Sequence, residues 1–409
     1  MDYEKHRNFE YNEKYFDLEN LKKFLYAYFP DYNDFDFVHV AGSKGKGTTC
    51  KIVADYLSDS SKVGLFISPH VLEINERISV NGKNILTKDF ERIKKEISKF
   101  SDNFFVGKNE KRLTVFEELF VAALKYFYEK KCKYVVLEVG LGGRLDATNV
   151  VLSKVCGLAL VEKEHTDILG KTIGKILNEK LGIKKNGVPF VIGRQQKNVD
   201  KILHEKFRKD KNVFFAEDVF LKNVGEENIS SKIYSDPNFR LGYAILRGLL
   251  GFVDDKKFLK LCSGFQMVGR FDVRKIPTNF GKGEVVFDIA HTPKSIENLL
   301  KNLKEKYFDK NFIFVVSIMK DKEILPILRQ ISRVVRCVVF TNANVVRGLS
   351  TEKLCEMFLK YSNEHVVVKK IVSPLMAFDF AIKNMKKEDI VVVTGSSFLV
   401  SEILSRKIL

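Results

Sequence analysis

At 409 residues the chain has room for two or three domains, and a 45% hydrophobic share beside 30% charged residues is globular composition, which excludes a disordered or low-complexity protein. The net charge of +17 comes from 69 Lys and Arg against 52 Asp and Glu, but the cations lie in short pairs along the whole chain. That spread describes a solvated lysine-rich surface, and no helix-turn-helix, zinc-finger or RNP pattern accompanies it, so a nucleic-acid partner is not expected. No apolar run reaches the length of a membrane span and the N-terminus lacks a signal core, so a cytoplasmic protein without membrane contact is expected. Six cysteines stand singly, without CxxC pairs or zinc spacing, and read as free, mostly buried thiols.

Residues 1 to about 34 read as helical, with Leu21, Phe24, Leu25 and Tyr28 on one face ahead of Pro30. Phe35 to Val40 has strand character, and Thr49 to Leu57 carries apolar residues at helical spacing. Between them lies His39-Val-Ala-Gly-Ser-Lys-Gly-Lys-Gly-Thr48, a glycine-rich turn that reads as a phosphate cradle ending at a helix N-terminus. Gly42, Gly45 and Gly47 let the main chain approach phosphate oxygens, with Ser43 and Lys44 between them. Lys46 can reach the terminal phosphates, and the Thr48 hydroxyl can assist Mg²⁺. The spacing differs from the Walker pattern: two residues rather than four separate Gly42 from Gly45-Lys46, and Gly47 precedes Thr48.

Val63 to Ile67 is a strand candidate leading into Ser68-Pro69-His70. Period-two character at Ile78 to Val80 and a turn at Asn81-Gly82 predict a loop and hairpin over the site. Helices are predicted over Asp89 to Phe100 and Thr114 to Tyr128. The apolar Lys133 to Gly140 fits a central parallel strand that ends at Glu138, ahead of a polar, glycine-rich loop through Asn149. Val155 to Val161 is the next strand, followed by a loop containing His165 and by a helix from about Thr172 that includes Lys180. Val188 to Ile192 is a further strand; residues 200 to 235 look irregular, and helices follow over Pro237 to Phe252 and near Lys256 to Cys262.

Alternation of strand and helix starts afresh beyond Ser263 to Val268. Strands are expected at Val285 to Ile289, Phe312 to Ser317, Cys337 to Thr341 and Ile390 to Thr394, with helices between. The expected fold class is α/β. A doubly wound N-terminal domain (1–262) carries the phosphate loop on a mainly parallel sheet, and a smaller Rossmann-like α/β domain (263–409) follows. Ligands of such sheets sit at the C-terminal strand ends, where the phosphate loop and Glu138 both lie.

In order and spacing these motifs resemble the folylpolyglutamate synthase and dihydrofolate synthase family, a branch of the Mur ligases. HVAGSKGKGT is similar to its phosphate loop and ISPH to its Ser-Pro-His segment. LEVGLGGRLDATN resembles its most diagnostic block, and EHTDILGKTI with EKLGI its metal and lysine region. VGRFD, DIAHTPKS, Asp321-Lys322 and TGSSFLVSE follow in family order.

The resemblance implies an ATP-dependent ligase that joins L-glutamate to a folate, to dihydropteroate, or to both, through an acyl phosphate. Its first domain would bind ATP and folate; its second would bind glutamate and contact the nucleotide. Lys46, Glu138, His165 and Lys180 would be catalytic, and Lys180 matches a lysine that becomes carbamylated. Thr48, Ser68, Glu138 and His165 would hold Mg²⁺, two ions in all. The loop residues Gly42 to Thr48 would bind ATP together with Asn238, Arg270, Asp288 and His291. Pro69, His70, Arg77, Gly143 and Ala147 would serve the folate, with Asn149 near the pterin or the phosphate loop.

A monomer is expected. Lys44, Glu164, Ile289 and Thr292 depart from the family pattern of Asn, Asp, Gly and Asn. A structural Glu138–Arg144 ion pair and a loop-capping His165 are competing readings of those two residues, and Thr114, Phe116 and Glu117 resemble a family TxFE segment but read equally as core and helix-capping residues. At the level of the whole protein the alternatives are a Mur-type peptide ligase and a non-catalytic ATP- or nucleic-acid-binding P-loop protein.

Overall fold

The computed structural model describes residues 18–106, 112–224, 236–343 and 346–408, so the readings made for 1–17 and 225–235 fall outside it. Two compact units form. One holds the residues up to His70 with Ile74–Phe265, the other Val71–Glu73 with the chain from Gln266 onward.

In the first unit α1 (Leu18–Tyr28) precedes β1 (Asp36–Ala41), α2 (Lys46–Ser58), β2 (Val63–Phe66), β3 (Ile78–Val80) and β4 (Lys83–Asn84). Then come α3 (Thr87–Phe104), α4 (Val115–Glu129), β5 (Tyr134–Glu138), β6 (Ser153–Leu158), α5 (Thr166–Leu169), α6 (Ile173–Leu181) and β7 (Phe190–Ile192). The unit continues through α7 (Lys197–Phe207), β8 (Val213–Phe215), α8 (Ala216–Val224), α9 (Pro237–Leu250) and α10 (Asp255–Gly264).

Its strands form one sheet in the order β4-β3-β2-β5-β1-β6-β7-β8, parallel from β2 to β8. All five residues of β5 are buried because helices cover both faces. Phe37, Phe66 and Leu137 face α1, α3 and α4, whereas Val38, Val40 and Val136 face α2, α9 and α10. Alternate residues of adjacent strands thus feed two separate cores.

Three local readings change. The β3–β4 hairpin runs antiparallel to β2, and Asn81 lies beside Val63, accepting its N–H through the side chain. The turn therefore sits at the end of β2 opposite the phosphate loop, not over the site. Helix α2 begins at Lys46, three residues earlier than its apolar spacing indicates, because polar Lys46 to Thr48 carry no hydrophobic signal. Residues 197–224 are regular, with α7, β8 and α8 in place of irregular turns. Val199 and Leu203 of α7 are fully buried, but so few apolar anchors leave a weak periodic signal.

The second unit runs β9 (Asp272–Thr278), β10 (Gly281–Phe287), α11 (Pro293–Lys306), β11 (Asn311–Val316), α12 (Ile324–Ile331) and β12 (Val335–Phe340). It ends with α13 (Thr351–Leu359), β13 (Val367–Lys370), α14 (Pro374–Lys383), β14 (Asp389–Thr394) and α15 (Ser397–Ile403). The sheet order is β13-β12-β11-β14-β10-β9, parallel except for β9, which pairs antiparallel with β10. Charged residues interrupt both β9 and β13, which hides these edge strands in the sequence. Among the described residues no helix is long and apolar enough to cross a membrane.

Candidate functional site

Strand β1 is buried from Phe37 onward and delivers the chain into the glycine turn. Gly45, in the left-handed region at φ 87°, is the N-cap of α2, and no side chain caps this helix. The left-handed φ favours glycine here, and a β-carbon at Gly45 would meet the Asn238 side-chain oxygen, where α9 approaches the loop. The loop's other edge is pinned by Ser43 and Lys44, whose amides both donate to the Leu160 carbonyl at 2.7 and 3.1 Å. The Ser43 hydroxyl donates to the Glu162 carbonyl. Gly42 and Ser43 are buried while Lys44 to Thr48 are half-buried, leaving the first turn of α2 as the accessible face. An uncapped, positively polarised helix start is suited to anions.

Two lysines converge on one backbone oxygen. Lys46 Nζ donates to the Gly42 carbonyl at 3.0 Å and Lys180 Nζ to the same oxygen at 2.9 Å. Lys180 is 1% exposed and also donates to Glu164 Oε1 at 2.9 Å. Burial lowers the pKa of Lys180, opposed chiefly by Glu164. Burial works against the Glu164 carboxylate too, but the Lys180 and Lys46 cations and the hydrogen bond from Lys180 bring its pKa below the ordinary value.

Glu138, at the C-terminal end of β5, is 6% exposed. Its Oε2 accepts the Ser68 amide at 3.0 Å, and its Oε1 lies 3.9 Å from Lys46 Nζ. The ion pair with Arg144 does not form; Arg144 bonds Glu179 at 2.8 Å instead. His165 is exposed, adopts φ 45° at the start of α5, and makes no side-chain cap. Thr114 and Glu117 do form a reciprocal capping box on α4.

Asn238 lies in the first turn of α9, its side-chain amide donating to Asp236, which caps that helix. His70 Nδ1 accepts from Arg77 Nε at 3.0 Å; Arg77 is buried and Pro69 exposed. Gly143 packs against the end of α6, Ala147 is buried in the core under α4, and Asn149 bonds the Gly182 carbonyl.

In the second unit Arg270 is exposed, while the Asp288 carboxylate accepts the Phe271 and Ala290 amides, each at 2.8 Å. Burial raises the pKa of Asp288, opposed first by Arg270. His291 Nδ1 lies 2.8 Å from the Ile289 carbonyl. The departures here keep structural work: Ile289 is 4% exposed in the core and Thr292 caps α11.

Sequence reasoning missed His39 and the part played by Asp146. Fully buried His39 Nε2 meets Thr148 Oγ1 at 2.8 Å, and the Thr148 hydroxyl donates to Asp146, which also accepts the Leu141 amide. This chain ties the strand before the phosphate loop to the loop after Glu138. A histidine inside an otherwise apolar strand was its only signal.

A parallel sheet that carries a glycine-rich loop and a buried carboxylate at its C-terminal strand ends is suited to holding a phosphorylated ligand. Residues 269–397 match the family described as Mur ligase, glutamate ligase domain. The dihydrofolate synthase/folylpolyglutamate synthase of Buchnera aphidicola subsp. Acyrthosiphon pisum is 30% identical over 388 residues, covering 90% of this chain and 89% of that protein. The chain belongs to the dihydrofolate synthase/folylpolyglutamate synthase family.

Solved structures agree in fold across both units. Escherichia coli FolC in complex with DHPP and ADP is 26% identical, with a TM-score of 0.77 over 95% of this chain and 91% of that one. The bifunctional Yersinia pestis enzyme complexed with AMPPNP and a Mn ion is 25% identical, with a TM-score of 0.77 over 96% and 93%.

Proposed function

We propose that this protein uses ATP to join L-glutamate to a folate-type acid, accepting both dihydropteroate and tetrahydrofolate. The observation that carries the reading is the buried Glu138 carboxylate facing Lys46 across an uncapped helix start. Relatives named for both activities support the pair of acceptors.

A carboxylate is a poor electrophile. Transfer of the γ-phosphoryl group to one of its oxygens, with release of ADP, makes an acyl phosphate. The glutamate amine then attacks the acyl carbon, the amide bond forms, phosphate leaves and the amine gives up a proton. Such a transfer depends on positioning and charge neutralisation. Lys46 and the amides of the α2 first turn take the phosphates, with Gly42 to Gly47 shaping the cradle; Lys180 fixes the Gly42 carbonyl beneath it. Asn238, which meets the loop at Gly45, contacts the adenine. Pro69, His70, Arg77 and Ala147 serve the acceptor side.

The donor set fits Mg²⁺. Glu138, at the C-terminal end of β5, offers a hard carboxylate oxygen. Mg²⁺ binds through one or two carboxylates together with substrate phosphates and water. Glu138, Ser68 and Thr48 would hold one ion and His165 a second, and Mg²⁺ when bound neutralises phosphate charge. In this reading Lys180 acts as the unmodified amine that pairs with Glu164; a monomeric state and a cytoplasmic location belong to it as well, and six buried free thiols support the last.

The test is a pair of variants. Lys46→Ala and Glu138→Gln should each cut glutamate-dependent ADP release at least a hundredfold with an unchanged circular dichroism spectrum, since the carboxamide oxygen of the second variant still accepts the Ser68 amide. Near wild-type rates in the folded variants would overturn the site.

A further inference from the structure

Helix α6 carries Lys180 one residue from its C-terminus, where the last carbonyls lack partners within the helix. The loop between β5 and β6 takes hold of that end. The Arg144 amide donates to the Glu179 carbonyl at 2.7 Å, shorter than the 3.3 Å bond which the helix's own Gly182 amide makes to it. Asn149 Nδ2 donates to the Gly182 carbonyl at 3.1 Å and to the Arg144 carbonyl at 2.9 Å, so one side chain joins the two segments. Lys185 Nζ in turn donates to Asn149 Oδ1 at 2.8 Å and to its carbonyl at 3.2 Å.

The contact leaves no spare volume. A β-carbon on Gly143 would stand 2.8 Å from the Glu179 carbonyl oxygen and 3.0 Å from that of Lys180, and one on Gly182 would stand 2.6 Å from Arg144 Cα. Two glycines thus let two backbones meet beside the residue whose amine reaches Gly42 and Glu164. The exposed Arg144–Glu179 ion pair adds little, because solvent screens it.

We propose that Asn149 is a positioning residue for the ligase reaction: together with Gly143 it clamps the end of α6 and so sets where the Lys180 amine meets the phosphate loop. Asn149 then touches no substrate and acts through Lys180, an inference that rests on the placement of Lys180 in the site proposed above.

The test is a double-mutant cycle read in single-turnover ADP formation. Asn149→Ala should lower the rate at least tenfold while the KM for L-glutamate stays within twofold. In a Lys180→Ala background, the same change should alter the residual rate less than twofold, although the melting temperature falls equally in both backgrounds. Gly143→Ala, which crowds the same carbonyls, should behave alike and replaces Asn149→Ala if that variant does not fold. Rate losses that multiply across the cycle would overturn the clamp and make Asn149 a substrate contact or a general stabiliser. A Lys180→Ala protein with the wild-type rate would instead remove Lys180 from the site, a separate failure.

Discussion

His39 shows how a residue with no place in the phosphate chemistry can still set the site. The Thr148 hydroxyl donates to Asp146, so His39 Nε2 must be the donor to Thr148; Nδ1 has no partner among the described residues. Burial, with a smaller push from Lys185, lowers the His39 pKa to about 3. Between the ordinary value of about 6.5 and about 3, the unfolded chain binds a proton that the folded chain refuses. Stability is therefore lost as pH falls through that window, by at most about 1.4 kcal/mol per pH unit from this group. His39→Gln retains a donor for Thr148 without titrating. Urea unfolding between about pH 6.5 and about pH 4 should give a shallower pH dependence for the variant than for the wild type, and equal slopes would contradict the assignment.

Among the elements, α4 shows the competition between structural and functional readings most clearly. Thr114 accepts the Glu117 amide at 3.2 Å while Glu117 accepts the Thr114 amide at 2.7 Å, and Leu119, Phe120 and Phe127 bury the inner face. Loss of such a cap costs about 1 kcal/mol. Thr114→Ala should lower the unfolding free energy by about that amount in denaturant titration; no change would mean that the box does not stabilise the helix. Apolar runs made β1, β5, β6 and β11 legible in the sequence because strands covered on both faces admit few polar residues. The phosphate loop and Glu138 were legible because glycines and a carboxylate at strand ends have little packing value there. Edge strands β9 and β13, with solvent on one side, carried charges and escaped notice. The helix start at Lys46 was hidden because the polar run Lys46 to Thr48 carries none of the apolar spacing that marks a helix. The contact of Asn149 with Gly182 links segments 33 residues apart, a pairing that no local pattern encodes.

For the molecule as a whole, similarity to the family runs through both units rather than through the phosphate loop alone, covering 90% of the chain in the Buchnera comparison. The substrates of this ligase reaction are a nucleotide, an amino-acid dicarboxylate and a folate-type acid, all anionic, and a net charge of +17 favours their approach. The most direct test is ADP release by the purified protein with ATP, Mg²⁺ and L-glutamate, adding dihydropteroate or tetrahydrofolate separately and weighing the products by mass spectrometry. Each acceptor should stimulate ADP release and gain the mass of one glutamyl residue per ATP consumed. ATP binding without stimulation by either acceptor would contradict the account.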